Sequence, residues 1–297
     1  MRSHTKLYYL YLFFVRNGLV NTILFLKSKN KFDVQLDKKY IYKNTSITDS
    51  NLHSTYTTLC GLAARDSNTF KKFRSARVMV QVLDHVTIEQ GWEYICEILE
   101  LAEWDKNFTE IIKKIDEHGK PIKFYFKPYG KFSPTLLRYL KVDLDLIKYF
   151  GSLKQFNVTE IGGGFGGQAC LINLMNSLSS YTIYDLPPVL DLSKRFIRVN
   201  AIPGKFNYNN GRNIKQLKSD LVISNYAFSE LSRDIQDEYI SKVLLNSPRG
   251  YITWNPLSWR DLGGYSSEEL IRIIPRSKIF QEKPLTYSGN KIIVWRP

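Results

Sequence analysis

The chain has 297 residues, 42 Lys and Arg against 28 Asp and Glu, a formal charge of +14, and 43% apolar and 14% aromatic residues. That length can bury a full core and leaves room for two domains, and the lack of internal repeats or low-complexity tracts excludes a solenoid or a linker-rich array. Cys60, Cys96 and Cys170 form neither a C-x-x-C pair nor an even set, which excludes a disulfide framework and a zinc site and makes a reducing cytoplasm the expected setting.

In chain order, residues 1–50 carry nine of the Lys and Arg against three acids. This front-loaded excess points to an acidic substrate, nucleic acid or an anionic membrane surface without choosing among them. The apolar run Leu7–Val15 is interrupted by Arg16 and Asn17, and Leu19–Leu26 is too short to span a bilayer. A packed or dimerising helix pair is expected here, with a basic amphipathic segment at the inner face of the membrane as the alternative. Residues 51–75 read as helical. Ala76 to Glu103 has apolar residues at helical spacing with Gly91 as the break, Lys106 to Glu117 continues the pattern, and Gly119-Lys120-Pro121 stops it ahead of a hairpin around Pro121 to Tyr129.

Past Ser133-Pro134 short strands alternate with helices, as a doubly wound α/β sheet demands. Strands are expected at 156–161, 181–184, 205–208, 220–225, 250–255, 278–283 and 290–295, and helices at 134–149, 166–178, 188–200, 233–246 and 266–274. A turn at Ser288-Gly289-Asn290 pairs the last two strands. The chain therefore divides into a mainly helical part, 1–130, serving substrate binding or oligomerisation, and a Rossmann-like part, 131–297.

The most informative stretch is Phe156 to Gln168, a β-branched run ending in Gly162, Gly163, Gly164, Gly166 and Gly167 and opening into a helical pattern. About twenty residues on, Tyr181–Tyr184 delivers Asp185, where a carboxylate can meet both hydroxyls of a ribose. Gly162, Gly164 and Gly167 also fit the nicotinamide spacing G-x-G-x-x-G. Glu160 decides against it: an acid beside the loop opposes a pyrophosphate but favours a cationic ligand. The pattern Glu160-x-Gly162-x-Gly164-x-Gly166 resembles motif I of class I S-adenosylmethionine-dependent methyltransferases, and the seven strands suit the sheet of that family.

Four segments together resemble the sugar O-methyltransferases of bacteria and viruses: Ser133 to Tyr139, Glu160 to Gln168, Tyr184 to Pro187, and Ser224 to Glu230. The resemblance implies methyl transfer from S-adenosylmethionine to a sugar hydroxyl, on a nucleotide-linked sugar or a glycan, in polysaccharide biosynthesis. The glycine loop with Asp185-Leu186-Pro187 also resembles plant-type small-molecule O-methyltransferases, whose histidine base would fall on Ser229 and its aspartate on Glu230. All four histidines, His4, His53, His85 and His118, lie in the first half, so the base is expected to be Glu230, or His85 reaching over from the helical part with its ring oriented by Asp84. Glu160, Gly162, Gly164, Gly166, Gln168, Asp185, Leu186 and Asn225 are expected at the cofactor. Arg138 and Tyr139 join them, the guanidinium meeting the methionine carboxylate or a substrate phosphate. Tyr226, Trp254 and Asn255 are expected at the acceptor, Asn209 and Asn210 at the adenine edge, and no metal. Competing readings are a nucleic-acid or other small-molecule methyltransferase and a non-catalytic scaffold apposed to the membrane.

Overall fold

The computed structural model describes residues 17–27, 51–256 and 262–296. The sequence reading of residues 1–16 and 28–50 lies outside the described residues.

Helix α1 covers residues 17–27. Beyond it come α2 (Asn51–Arg65), the single turn α3 (Ser67–Phe70), α4 (Arg77–Val82), α5 (Ile88–Leu101) and α6 (Lys106–Ile115), then a small hairpin of β1 (Phe124–Phe126) and β2 (Gly130–Phe132). The break between α4 and α5 falls at Leu83–Thr87 and not at Gly91. Thr87 and Gln90 form a reciprocal capping box that starts α5 there. Gly91 lies inside α5, where a Cβ would come within 2.6 Å of the Phe126 ring. Close packing, and not helix breaking, explains this glycine.

Helix α7 (Pro134–Phe150) opens with Pro at its first turn after Ser133, a position where the missing N–H costs nothing. It is buried on nearly every side, because α5 packs on one flank and α8 (Gly167–Met175) on another. Two of its interior charges pair with each other: Lys141 bonds Asp145, which also accepts from the Tyr251 hydroxyl at 2.8 Å. The remaining elements are β3 (Asn157–Ile161), β4 (Ser180–Asp185), α9 (Pro187–Val199), β5 (Phe206–Asn210), β6 (Leu221–Asn225), α10 (Arg233–Tyr239) with a π-helical turn at Ile240–Leu244, β7 (Gly250–Trp254), α11 (Ser267–Ile273), β8 (Ser277–Gln281) and β9 (Lys291–Trp295).

These strands form one sheet in the order β5-β4-β3-β6-β7-β9-β8, parallel through β7 and antiparallel at β9 and β8. This is the mixed, Rossmann-like α/β sheet expected from the sequence, with all seven strands within a few residues of their expected positions. The β8–β9 connection is longer than the expected tight turn and runs through residues 282–290. The chain order reverses between β3 and β6, so the crevice at their carboxyl ends is the natural ligand position of such a sheet. One apolar cluster runs without interruption from α2, α5 and α6 through α7 and α8 into β3 and β4. A second, around Phe228, Val243, Trp254 and Trp295, fills the other face of the sheet.

Candidate active site

At the carboxyl edge of the sheet lies a cavity of about 580 Å³, within the range typical of small-molecule sites. Its floor is the loop after β3. Gly162 has φ +81°, and a Cβ there would lie 2.1 Å from that of Ala227; Gly164 has φ +54°, with Leu83 directly above it. Only glycine suits these two positions, for backbone angle and space together. Gly166 behaves differently. It begins α8 with φ +88°, turned toward Ser193 and Ile197, and does not line the cavity.

Asp185, at the end of β4, accepts hydrogen bonds from Gly164 N (2.9 Å) and Leu186 N (2.7 Å). Burial pushes its carboxyl up to about 6 while these two bonds pull it down. Each carboxylate oxygen keeps a lone pair for a ligand hydroxyl. Tyr56 of α2, which bonds Cys60, is close enough for the Asp185 charge to raise its phenol further above the usual tyrosine range. Leu186 and Gly211 also line this end, whereas Asn209 and Asn210 do not. The backbone of Gly211, which donates to Asp185 O, takes the place expected for those asparagines.

Glu160 borders the cavity behind the glycine loop and is almost wholly buried, accepting from the Tyr181 hydroxyl at 2.9 Å. Burial raises it to about 8 while the Tyr181 hydroxyl pulls it down, and a cation beside it would favour its ionised form. On the opposite wall Arg138 is 5% exposed. Its Nη2 donates to Leu83 O at 3.2 Å and Nη1 contacts His85 Nε2 at 3.4 Å, while its plane lies near the rings of Tyr139 and Tyr226. No carboxylate among the described residues pairs with it, in contrast to the buried Arg74 and Lys141, and its Nε has no hydrogen-bond partner. Arg138 is therefore no surface ion pair. A guanidinium left this way inside protein calls for an anionic ligand group.

Three further polar atoms of the cavity wall have no hydrogen-bond partner among the described residues: Gln168 Oε1, Asn225 Nδ2 and Asn290 Oδ1. Gln168 Nε2 donates to Tyr139 O, and Asn225 Oδ1 accepts from the Thr253 hydroxyl. Buried orphans of this kind are few in native proteins, and their concentration here marks where a polar ligand completes the bonding.

Asp84 does not orient His85. It makes a bidentate bridge to Arg74 instead, and the His85 ring turns to the cavity, where it remains accessible although protein surrounds it. Desolvation and the Arg138 charge push His85 down to about 4. Its ring is neutral at physiological pH and bonds the Val82 backbone and Arg138. Glu230 follows β6 on the same cavity, its Oε1 accepting from Asn255 Nδ2 at 3.1 Å. Arg233, which could have paired with it, bonds Glu269.

Trp254, expected at the acceptor, does not line the cavity. At 4% exposure it belongs to the core beneath the sheet, its indole N–H donating to Tyr265 O, so it offers no face to an acceptor. Strand alternation turns Trp254 inward and leaves Asn255 at the rim. The Tyr226 ring does face the cavity, from a left-handed backbone (φ +69°), with its hydroxyl donating to Glu282 at 2.5 Å. Glu282 also accepts from Thr286 and Asn290, which ties the 282–290 loop over the mouth. Gln81, Leu83, Gln90, Thr286 and Tyr287 line the cavity without having been singled out from sequence.

No family model and no curated protein matches the chain. Solved structures similar to it include an O-methyltransferase family protein from Burkholderia thailandensis, 13% identical over 47% of this chain and 50% of that one, with a TM-score of 0.37. Magnesium protoporphyrin IX methyltransferase from Synechocystis PCC 6803, with bound SAH, is 15% identical over 54% and 82%, with a TM-score of 0.41. Thermoplasma acidophilum 1320 is 16% identical over 64% and 96%, with a TM-score of 0.39. The chain spans half the length of the first of these. The functional reading therefore rests on the cavity and not on these likenesses.

Proposed function

We propose that the protein is an S-adenosylmethionine-dependent O-methyltransferase acting on a sugar hydroxyl, either of a nucleotide-linked sugar or of a glycan under assembly. The observation that carries this reading is the joining of the glycine loop to Asp185, through Gly164 N, at the reversal point of the sheet. Asp185 would hold the ribose hydroxyls, with Gly211 and Leu186 beside the base. Arg138 and Asn225 would hold the methionine carboxylate, and Glu160 would ionise against the ammonium. S-adenosylmethionine supplies an electrophilic methyl group on a sulfonium.

The chain's own task is to align an alcohol and accept its proton. Of the two candidate bases, Glu230 is favoured. Both His85 nitrogens already have partners, whereas the Glu230 carboxylate has one bond, from Asn255, and lone pairs left for a hydroxyl. Tyr226, Asn255, Thr286 and Asn290 would supply the hydrogen bonds that a polyhydroxylated acceptor needs. Alignment in the cavity contributes much of the acceleration.

Titration calorimetry with S-adenosylhomocysteine tests the cofactor half of the reading, with NAD and NADP as controls. Micromolar binding of S-adenosylhomocysteine alone is expected; its absence, or preference for NAD, would remove the basis of the proposal. Screening nucleotide sugars and glycans for methyl acceptance then tests the acceptor.

A further inference from the structure

Helix α1 packs through Asn21, Thr22, Leu24 and Phe25, and it is fixed to the β1–β2 hairpin by a paired contact. Asn21 Nδ2 donates to Tyr125 O at 2.9 Å, and Tyr125 N donates to Asn21 Oδ1 at 2.8 Å. The opposite face of the helix is apolar and exposed. Leu19 and Val20 are 61% and 55% accessible, and Ile23 and Leu26 continue the same stripe at spacings of four and seven residues from Leu19. A soluble helix normally turns such a stripe to the core and its polar residues outward, so the arrangement is inverted here.

The β1–β2 hairpin that holds the helix is basic and aromatic. Lys27 is the last described residue of the helix, the Lys131 ammonium lies over the exposed Tyr125 ring at 5.0 Å, and Lys127 stands exposed at the hairpin turn. Between residues 113 and 131 the chain has six lysines, at 113, 114, 120, 123, 127 and 131. The only acids in that interval are Asp116, which is buried against Arg74, and Glu117. Among the described residues no helix is long and apolar enough to cross a membrane.

We infer that the face formed by Leu19, Val20, Ile23 and Leu26 with Lys27, Lys127 and Lys131 rests on an anionic phospholipid surface. Apolar side chains enter the headgroup boundary, the Tyr125 ring occupies the polar-apolar interface, and the lysines meet lipid phosphates. Charge complementarity selects this occupant. A second copy of the chain would bring like-charged lysines against one another, whereas an anionic surface neutralises them. The surface is separate from the cavity, and the inference stands independently of the proposed reaction.

Co-sedimentation of the full chain with vesicles provides the test, using phosphatidylcholine alone and an equimolar mixture of phosphatidylcholine and phosphatidylglycerol. Partition into the mixed vesicles is expected, with little into phosphatidylcholine, and it should weaken as salt is raised. The pair Lys127→Glu with Lys131→Glu should lower partition at least about tenfold, since each basic residue near such a surface matters individually. Leu19→Ser with Ile23→Ser should lower it at low and high salt alike. The melting temperature of each variant shows whether it is folded, and the salt and lipid dependence of the parent chain needs no variant. Equal binding to both vesicle types, no binding to either, or unchanged partition in the folded variants would overturn the inference. So would a concentration-dependent dimer that Leu19→Ser with Ile23→Ser abolishes, because the stripe would then be an interface between copies.

Discussion

Individual side chains in this protein are governed mainly by burial. Glu230→Gln keeps the bond to Asn255 within reach but removes the proposed proton acceptor. Turnover should fall by about 10² to 10⁴ with S-adenosylhomocysteine affinity unchanged, as read by steady-state kinetics and calorimetry together. Asp185→Ala should do the reverse and abolish cofactor binding. Three buried carboxyls are raised by desolvation, Asp143 and Glu160 to about 8 and Asp185 to about 6. In the unfolded chain such groups lose their protons near pH 4, so between about pH 4 and pH 8 the folded state holds protons that the unfolded state has released. Stability therefore declines as pH rises through that window. Asp143 lies outside the cavity, with Oδ1 accepting from Asn176 and Oδ2 without a partner. Asp143→Asn cannot ionise and should flatten the decline, melting above the parent near pH 8 and close to it near pH 4 in scanning calorimetry.

Among the elements, the turn after β3 is the most constrained. Gly162→Ala forces a methyl against Ala227 on a left-handed backbone, which should cost about 1–3 kcal/mol and at least about tenfold in cofactor affinity. Adding Ala227→Gly relieves the overlap but not the backbone strain, so partial recovery of the melting temperature is expected. This turn was legible in the sequence because its requirement is local: glycines in series after a β-branched run, with an acid one strand later. The seven strands were legible for the same reason. Gly91 was misread, since its role is to admit the Phe126 ring from a distant hairpin, and no local pattern records that. Trp254 was misread because the residue count placed it at a strand end while the pleat turned it inward. Tyr56, Gln81, Leu83 and Gln90 reach the cavity through the packing of α2 on α9, α4 on α2 and α5 on α7, so their separation in sequence conceals them.

For the whole molecule, Arg74 joins the helical half to the sheet half. It bonds Asp84, Asp116 and Ser133, the residue just before α7, and lies 4.8 Å from the Phe165 ring centre beside the glycine loop. Arg74→Met would leave two carboxylates buried and unpaired, at a cost of about 3–5 kcal/mol. The melting temperature should drop on the order of 10 °C, in one transition if the two halves unfold together. The cavity lies along the same seam: Tyr56, Leu83 and His85 come from one half, and Asp185, Asn225 and Glu230 from the other. A molecule bound there therefore acts as a rivet. At a concentration a hundredfold above its dissociation constant it would add about 2.7 kcal/mol against unfolding. By the same reciprocity, any remote substitution that lets the seam open before the chain unfolds should be felt as weaker affinity, although it touches nothing the ligand touches.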